Sequence, residues 1–327
     1  MSDGDAPLLV PDHHGAATGI LIDDLTTDDA ARLAYYEEPF GYVVLELTVS
    51  GAKAKLYLPQ ARRSAPLDPW DYVEWMAGDA PRTIDAAREY MAAFPHIPAV
   101  EAARHYPMIV QRAASRLRAK SEVAPDQVRR GVGHVAVAAS RLPYLGYFAV
   151  QEADLQFERF DGEISPSVSR TGFLMGDAVT VLPYDPVRDR VLVVEQFRYG
   201  AFLRGDPNPW TLEPIAGRVD HDETPEDAAR REAVEEAGLS LGRMILIARY
   251  YPSPGAISEY LYSYVALCDL PDSAAGIGGL VDEAEDIKAH ILSFDALMAL
   301  VATPEASNGP LILTAHALAG LRSSLVP

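Results

Sequence analysis

The chain has one cysteine, Cys268, among 327 residues. That excludes an intramolecular disulfide and leaves no cysteine-based zinc site. It also makes a cytoplasmic location the default expectation. Long apolar runs are missing. No stretch approaches the 18 or more apolar residues of a membrane span, so no membrane partner is expected. The first ten residues, MSDGDAPLLV, are acidic and have no basic segment ahead of an apolar one, so no signal peptide is expected. Positive charge is scarce: 28 Lys and Arg stand against 47 Asp and Glu, a net charge of −19. A phosphate backbone favours a basic surface, so the charge argues against nucleic acid as a partner. The same charge opposes a diphosphate ligand unless a bound cation inverts the local field. There is no P-loop, HExxH or GxSxG, and the eight histidines show no metal-ligand spacing. The segment SAAGIGG, 273–279, reads as a flexible loop rather than a dinucleotide fingerprint.

What is present is ordinary for a soluble globular protein: 49% hydrophobic and 23% charged residues. The length suffices for two domains. In 1–118, GILI at 19–22 reads as a strand, followed by a helix through Ala31, Leu33 and Tyr36 with Thr27 as its cap. Strands are expected at 42–49 and 52–58, and helices near 68–76, 83–94 and 109–120. Residues 119–130 are polar, contain Pro125 and read as a linker. From Gly131 onward strands dominate: 135–139, 147–159, 167–174, 178–184, 191–198, 210–213, 244–251, 260–267 and 287–292. Helices are expected at 294–301 and 310–321. Strands interleaved with a few helices imply an α/β (α+β) sandwich preceded by a smaller α+β domain.

The most informative stretch is 217–239, GRVDHDETPEDAARREAVEEAGL. Its pattern is G-x5-E-x7-R-E-x-x-E-E-x-G-L. Thr224 is a natural N-cap, Pro225 suits the first helical position and Gly238 is a natural stop. Glu232 and Glu236 are four apart with Glu235 beside them, so three carboxylates crowd one side of a short helix. Hard oxygen donors in that arrangement suit Mg²⁺ or Mn²⁺. A bare acidic run is usually a solvated face. Seven fixed positions at about 6% usage each match by chance roughly once in 10⁹ windows, and this overturns the bland reading.

The stretch resembles the signature box of the Nudix hydrolases. The resemblance implies a metal held by Glu232, Glu235, Glu236 and the carbonyl of Ala216, with Glu235 also a candidate for the chemical step. Flanking residues resemble the ADP-ribose pyrophosphatase branch: EQFR ending at Arg198, WTLEPIAG with Glu213, and SPG-x-x-x-E from Ser253 through Gly255 to Glu259. These imply substrate contacts from Arg198, Glu213, Ser253, Gly255 and Glu259. The segment DEAEDI at 282–287 resembles a loop that supplies a general base and a further metal ligand. Those roles fall on Glu283 and Glu285, in an order left open. By this resemblance the substrate is a small nucleoside diphosphate, ADP-ribose first, and the chain is a homodimer. Another nucleoside diphosphate sugar, NADH, or a non-catalytic nucleotide-sensing role remain alternatives.

A fainter resemblance joins GILIDDLTTDDAARLAYYEEPFGY to the gamma-glutamylcyclotransferase-like family. It implies Glu37, or Glu38, as an acid/base. The Tyr-Gly-x-Leu loop of that family is missing, so 1–118 reads as a degenerate domain and Glu37 as an exposed helix-end carboxylate.

Overall fold

The computed structural model describes residues 19–49, 51–60, 70–122, 128–129, 131, 133–279 and 285–325. The chain divides into two compact units, Met1–Met175 and Gly176–Pro327.

The first unit opens with helix α1 (Thr27–Glu37), whose cap is Thr26 rather than Thr27. The reason is spacing: from Thr26, Asp29 stands at the third helical position, and the two side chains cap each other's backbone N–H reciprocally. Strands β1 (Tyr42–Val49) and β2 (Ala52–Pro59) form an antiparallel hairpin. Helices α2 (Tyr72–Ala77), α3 (Ala80–Ala92), α4 (Ala99–Arg104) and α5 (Tyr106–Ser121) follow. Their core gathers Tyr35, Tyr90, Tyr106 and Ile109 around small alanines. Strands β3 (Val135–Leu145), β4 (Ala149–Phe157) and β5 (Val168–Leu174) make a separate antiparallel sheet. Leu142, Leu145 and Ala149 of that sheet join the same core, which explains why it clusters with the first unit. Gly19–Ile22 form no strand, and Ile20 is exposed. Glu37 is half-buried, not exposed, and desolvation raises its pKa.

The second unit is a sheet of eight strands with helices on both faces. Its strands are β6 (Ala178–Asp185), β7 (Arg190–Phe197), β8 (Trp210–Glu213), β9 (Ile215–Arg218), β10 (Met244–Tyr250), β11 (Leu261–Leu267), β12 (Gly276–Gly278) and β13 (Ile287–Ser293). Its helices are α6 (Tyr199–Arg204), α7 (Pro225–Ala237), α8 (Phe294–Val301) and α9 (Gly309–Leu321). Alternation along the strands sorts the core into two layers. Leu192 and Val194 of β7 face α7 with Val179, Val181 and Ile215. Val191 and Val193 face α8 and α9 with Leu182, Leu297 and Leu311. The α/β sandwich expected from the sequence is therefore present.

The sheet forks where the site forms. Strands β6 and β7 pair only at Tyr184–Val191 and Asp185–Arg190. Beyond that they diverge: β9 adds to β6, and β8 adds to β7. The expected flexible loop at 273–279 instead holds the end of a 3-10 turn (Asp272–Ala274) and a short strand, β12, paired with β13. Its glycines allow a close approach: a Cβ on Gly278 would lie 2.1 Å from the carbonyl oxygen of Glu236. Among the described residues no helix is long and apolar enough to cross a membrane.

Candidate active site

Helix α7 carries the acids. Thr224 caps it by accepting from the Asp227 N–H at 3.2 Å, with Pro225 next to it. Gly238 ends it in the left-handed region, at φ 62°. Ala228, Ala229 and Ala233 are fully buried against the sheet. Their small size lets the helix lie close, and it draws Glu236 on the same side into the interior, where Glu236 is only 2% exposed.

That position is costly for a charge. One carboxylate oxygen of Glu236, Oε2, is buried with no hydrogen-bond partner among the described residues. Burial, then the nearby charges of Glu232 and Glu285, push its pKa up to about 8, against a backbone hydrogen bond from Ala216 and the charge of Arg198. Glu232 is pushed up to about 7 by burial, opposed by Arg231 and reinforced by Glu235 and Glu285. The acids of the box and Glu285 therefore share one electrostatic neighbourhood.

Arg231 holds the box together. It donates to Glu223 at 2.8 Å, to the Arg218 carbonyl at 3.0 Å, to Glu232 at 2.8 Å and to Glu235 at 2.9 Å. Glu223 also accepts from the Asp220 N–H at 2.8 Å. These bonds fix the loop from β9 to α7 onto the helix. A Cβ on Gly217 would lie 1.8 Å from Oε1 of Glu232, so a side chain there displaces that carboxylate.

At the fork, Arg198 follows β7 and makes a two-pronged pair with Glu213 of β8, at 2.8 and 2.6 Å. Glu213 is buried and also accepts from the Thr211 hydroxyl. Glu259 is half-buried, and desolvation raises its pKa against the charges of Arg218 and Arg198. Ser253 and Gly255 lie in an exposed turn closed by bonds from the Ala256 and Ile257 N–H groups to the Ser253 carbonyl. A Cβ on Gly255 would meet nothing within 4 Å, so the turn is open to an approaching ligand.

Arg198, Glu213, Ala216, Glu232, Glu235, Glu236, Glu259 and Glu285 are thus linked by bonds or mutual charge effects. For Ser253 and Gly255 no such link to the acids is seen among the described residues. Glu283 lies outside the described residues. Sequence reasoning passed over Arg218, which sits at a variable position of the box, and Thr211, whose only signal was its place two residues before Glu213.

A divalent cation fits these residues. Every candidate side-chain donor is a carboxylate oxygen, one of them buried and unpartnered, and the acids raise one another's pKa. Among the described residues no three His, Cys, Asp or Glu side chains already converge on a common ligand point. Arg231 accounts for part of this, because it occupies oxygens of Glu232 and Glu235.

An α/β sandwich with a capped acidic helix over a forked sheet defines a Nudix hydrolase, and residues 175–312 match the NUDIX domain. The chain belongs to this family. It is 40% identical over 171 residues to the ADP-ribose pyrophosphatase of Escherichia coli (strain K12), covering 52% of this chain and 81% of that protein. It is 34% identical over 177 residues to the ADP-ribose pyrophosphatase of Haemophilus influenzae, covering 54% and 81%. It is 32% identical over 168 residues to the GDP-mannose pyrophosphatase of Salmonella choleraesuis, covering 51% and 85%. The second unit, Gly176–Pro327, holds 152 residues (327 less 175). A match covering 52% of the chain is longer than that, so the likeness extends beyond this unit.

Proposed function

We propose that the chain hydrolyses the diphosphate of ADP-ribose to AMP and ribose 5-phosphate. The observation that carries this is the buried Glu236 carboxylate with an unpartnered oxygen, within the charge influence of Glu232 and Glu285. Its likeness to the two ADP-ribose pyrophosphatases supports the choice of substrate.

Glu232, Glu235, Glu236, Glu285 and the Ala216 carbonyl would hold Mg²⁺ or Mn²⁺. When bound, such ions neutralise charge on the diphosphate and lower the pKa of water. Arg198, pre-aligned by Glu213, orients phosphate oxygens through charge-assisted hydrogen bonds. Glu259 receives ribose hydroxyls, and the turn at Ser253 and Gly255 brings backbone against the ligand. Glu283 takes the proton of the attacking water, with Glu235 the alternative on α7. Arg231, Glu223 and Gly217 keep the helix and its loop in register.

Several broader readings go with this one. The chain acts on a small molecule as a homodimer in the cytoplasm, without nucleic acid or membrane partners. The likeness to the relatives is longer than the second unit, which supports reading the sheet β3–β5 with the Nudix segment, the linker expected at 119–130 starting only after α5 ends at Ser121. Residues 1–118 are a degenerate gamma-glutamylcyclotransferase-like domain.

A second substrate, GDP-mannose, is favoured by the likeness to the GDP-mannose pyrophosphatase. Incubation with Mg²⁺ and ADP-ribose, GDP-mannose, UDP-glucose or NADH, followed by product separation, decides between them. ADP-ribose is expected to give the highest kcat/KM, with AMP and ribose 5-phosphate in equal amounts. Faster cleavage of another member of the panel contradicts the substrate assignment. No cleavage of any member favours a sensing role.

A further inference from the structure

The second unit has another concavity, on the sheet face opposite the acids of α7. It is a cleft of about 670 Å³, within the range that holds small molecules. Val193, Glu195 and His290 from β7 and β13 form its floor, and Trp210, Leu212 and Leu300 form its walls. Asp206 and Glu305 line it as well. The diphosphate chemistry uses none of these side chains.

The charged lining groups are the carboxylates of Glu195, Asp206 and Glu305, with His290 and the polar side chains of Asn208, Thr303 and Ser307 beside them. Glu195 Oε2 lies 2.8 Å from His290 Nε2, half-buried on the floor. Asp206 accepts from the Asn208 N–H at 3.1 Å, and its second oxygen lies 3.9 Å from Arg204. The Thr303 hydroxyl, also lining the cleft, spends its proton on the Leu300 carbonyl at 2.8 Å. What faces the cleft is therefore rich in acceptors. None of the described lining residues is Lys or Arg. Three carboxylates with no Lys or Arg among the described lining residues repel phosphates, and even a protonated His290 offsets only one of them. The lining also includes aliphatic side chains and the half-exposed ring of Trp210, an aromatic surface of the kind that attracts cations.

We propose that this cleft is a binding site for a small organic amine with an aromatic or aliphatic body. The ammonium sits between Asp206, Glu195 and Glu305, and the body lies along Trp210, Leu212 and Leu300. Such a ligand binds apart from the diphosphate site, because α7 and its acids lie beyond the sheet.

Calorimetric titration of the full chain with 2-phenylethylamine and with phenylacetate tests this, since the two share a body and differ in charge. The amine is expected to bind saturably, and phenylacetate at least tenfold more weakly. Asp206→Asn with Glu305→Gln is expected to erase that preference. Ala299→Trp, at an exposed lining position, fills the cleft. It is expected to abolish amine binding and leave ADP-ribose turnover at the wild-type rate. Absence of saturable amine binding up to ~10 mM, equal binding of both probes, or amine binding that survives Ala299→Trp overturns the proposal.

Discussion

Opposing forces meet on Glu236. Helix packing buries it, its neighbours repel it, and one of its oxygens lacks a partner. Its folded pKa, pushed up to about 8, exceeds the ordinary carboxylate value. Between those values the folded chain holds more protons than the unfolded one, so stability falls as pH rises through that window. Glu232, pushed up to about 7, acts in the same direction. Without metal, the melting temperature is therefore expected to fall from pH 5 to pH 8, and millimolar Mg²⁺ to restore it. Glu236→Gln is expected to remove most of the fall, worth on the order of a few kcal/mol at most. Calorimetry across that pH range checks both, and a flat metal-free profile contradicts them. Gly217→Ala places a methyl against the Glu232 carboxylate. It is expected to raise the Mg²⁺ concentration for half-maximal activity by about tenfold, the loss typical when a ligand's support is disturbed. Activity titrated against Mg²⁺ measures it.

Helix α7 is held at both ends and along one face, and each constraint has a separate consequence. Thr224→Ala removes the cap and is expected to cost about 1 kcal/mol, read from denaturant unfolding. Gly278→Ala drives a methyl from β12 into the Glu236 carbonyl. Backbone cannot yield as a flexible side chain does, so a loss of about 1–3 kcal/mol is expected, with weaker Mg²⁺ activation. Wild-type unfolding and activation in that variant contradict the packing of β12 on the helix. The helix itself was legible in the sequence, because Thr224, Pro225, Gly238 and the acid spacing are local signals. Most strands of the second unit were legible for the same reason: β-branched runs such as VLVVEQF declare themselves. Other features depended on distant partners. Nothing local marks the divergence of β6 and β7, and a three-residue strand such as β12 exists only because β13 lies beside it. The Arg198–Glu213 pair joins residues fifteen apart, so the sequence offered two site residues without the bond between them. In the first unit, Gly19–Ile22 looked like a strand by composition but has no pairing partner among the described residues. Glu37 looked exposed because the chain beyond a helix end does not reveal what packs over it.

A molecule with a net charge of −19 has to admit a diphosphate. Arg198 and Arg218 supply only local positive charge at the fork, and the rest of the surface repels the substrate at long range. Salt screens that repulsion over about 10 Å at 0.1 M. At fixed saturating Mg²⁺, kcat/KM is therefore expected to rise modestly between low and moderate ionic strength, where a positively steered enzyme would show a fall. A steady decline contradicts this reading of the charge. Every described candidate site residue lies within Gly176–Pro327. The central claim is that buried carboxylates on α7 exist to hold divalent cations against a diphosphate. The most direct test is ADP-ribose turnover by the full chain, measured against Mg²⁺ concentration for wild type and Glu236→Gln. Wild type is expected to show saturable Mg²⁺-dependent release of AMP, and the variant a loss on the order of 10²-fold or more despite an unchanged or raised melting temperature. Wild-type turnover by a folded Glu236→Gln, or turnover indifferent to chelator, contradicts the claim.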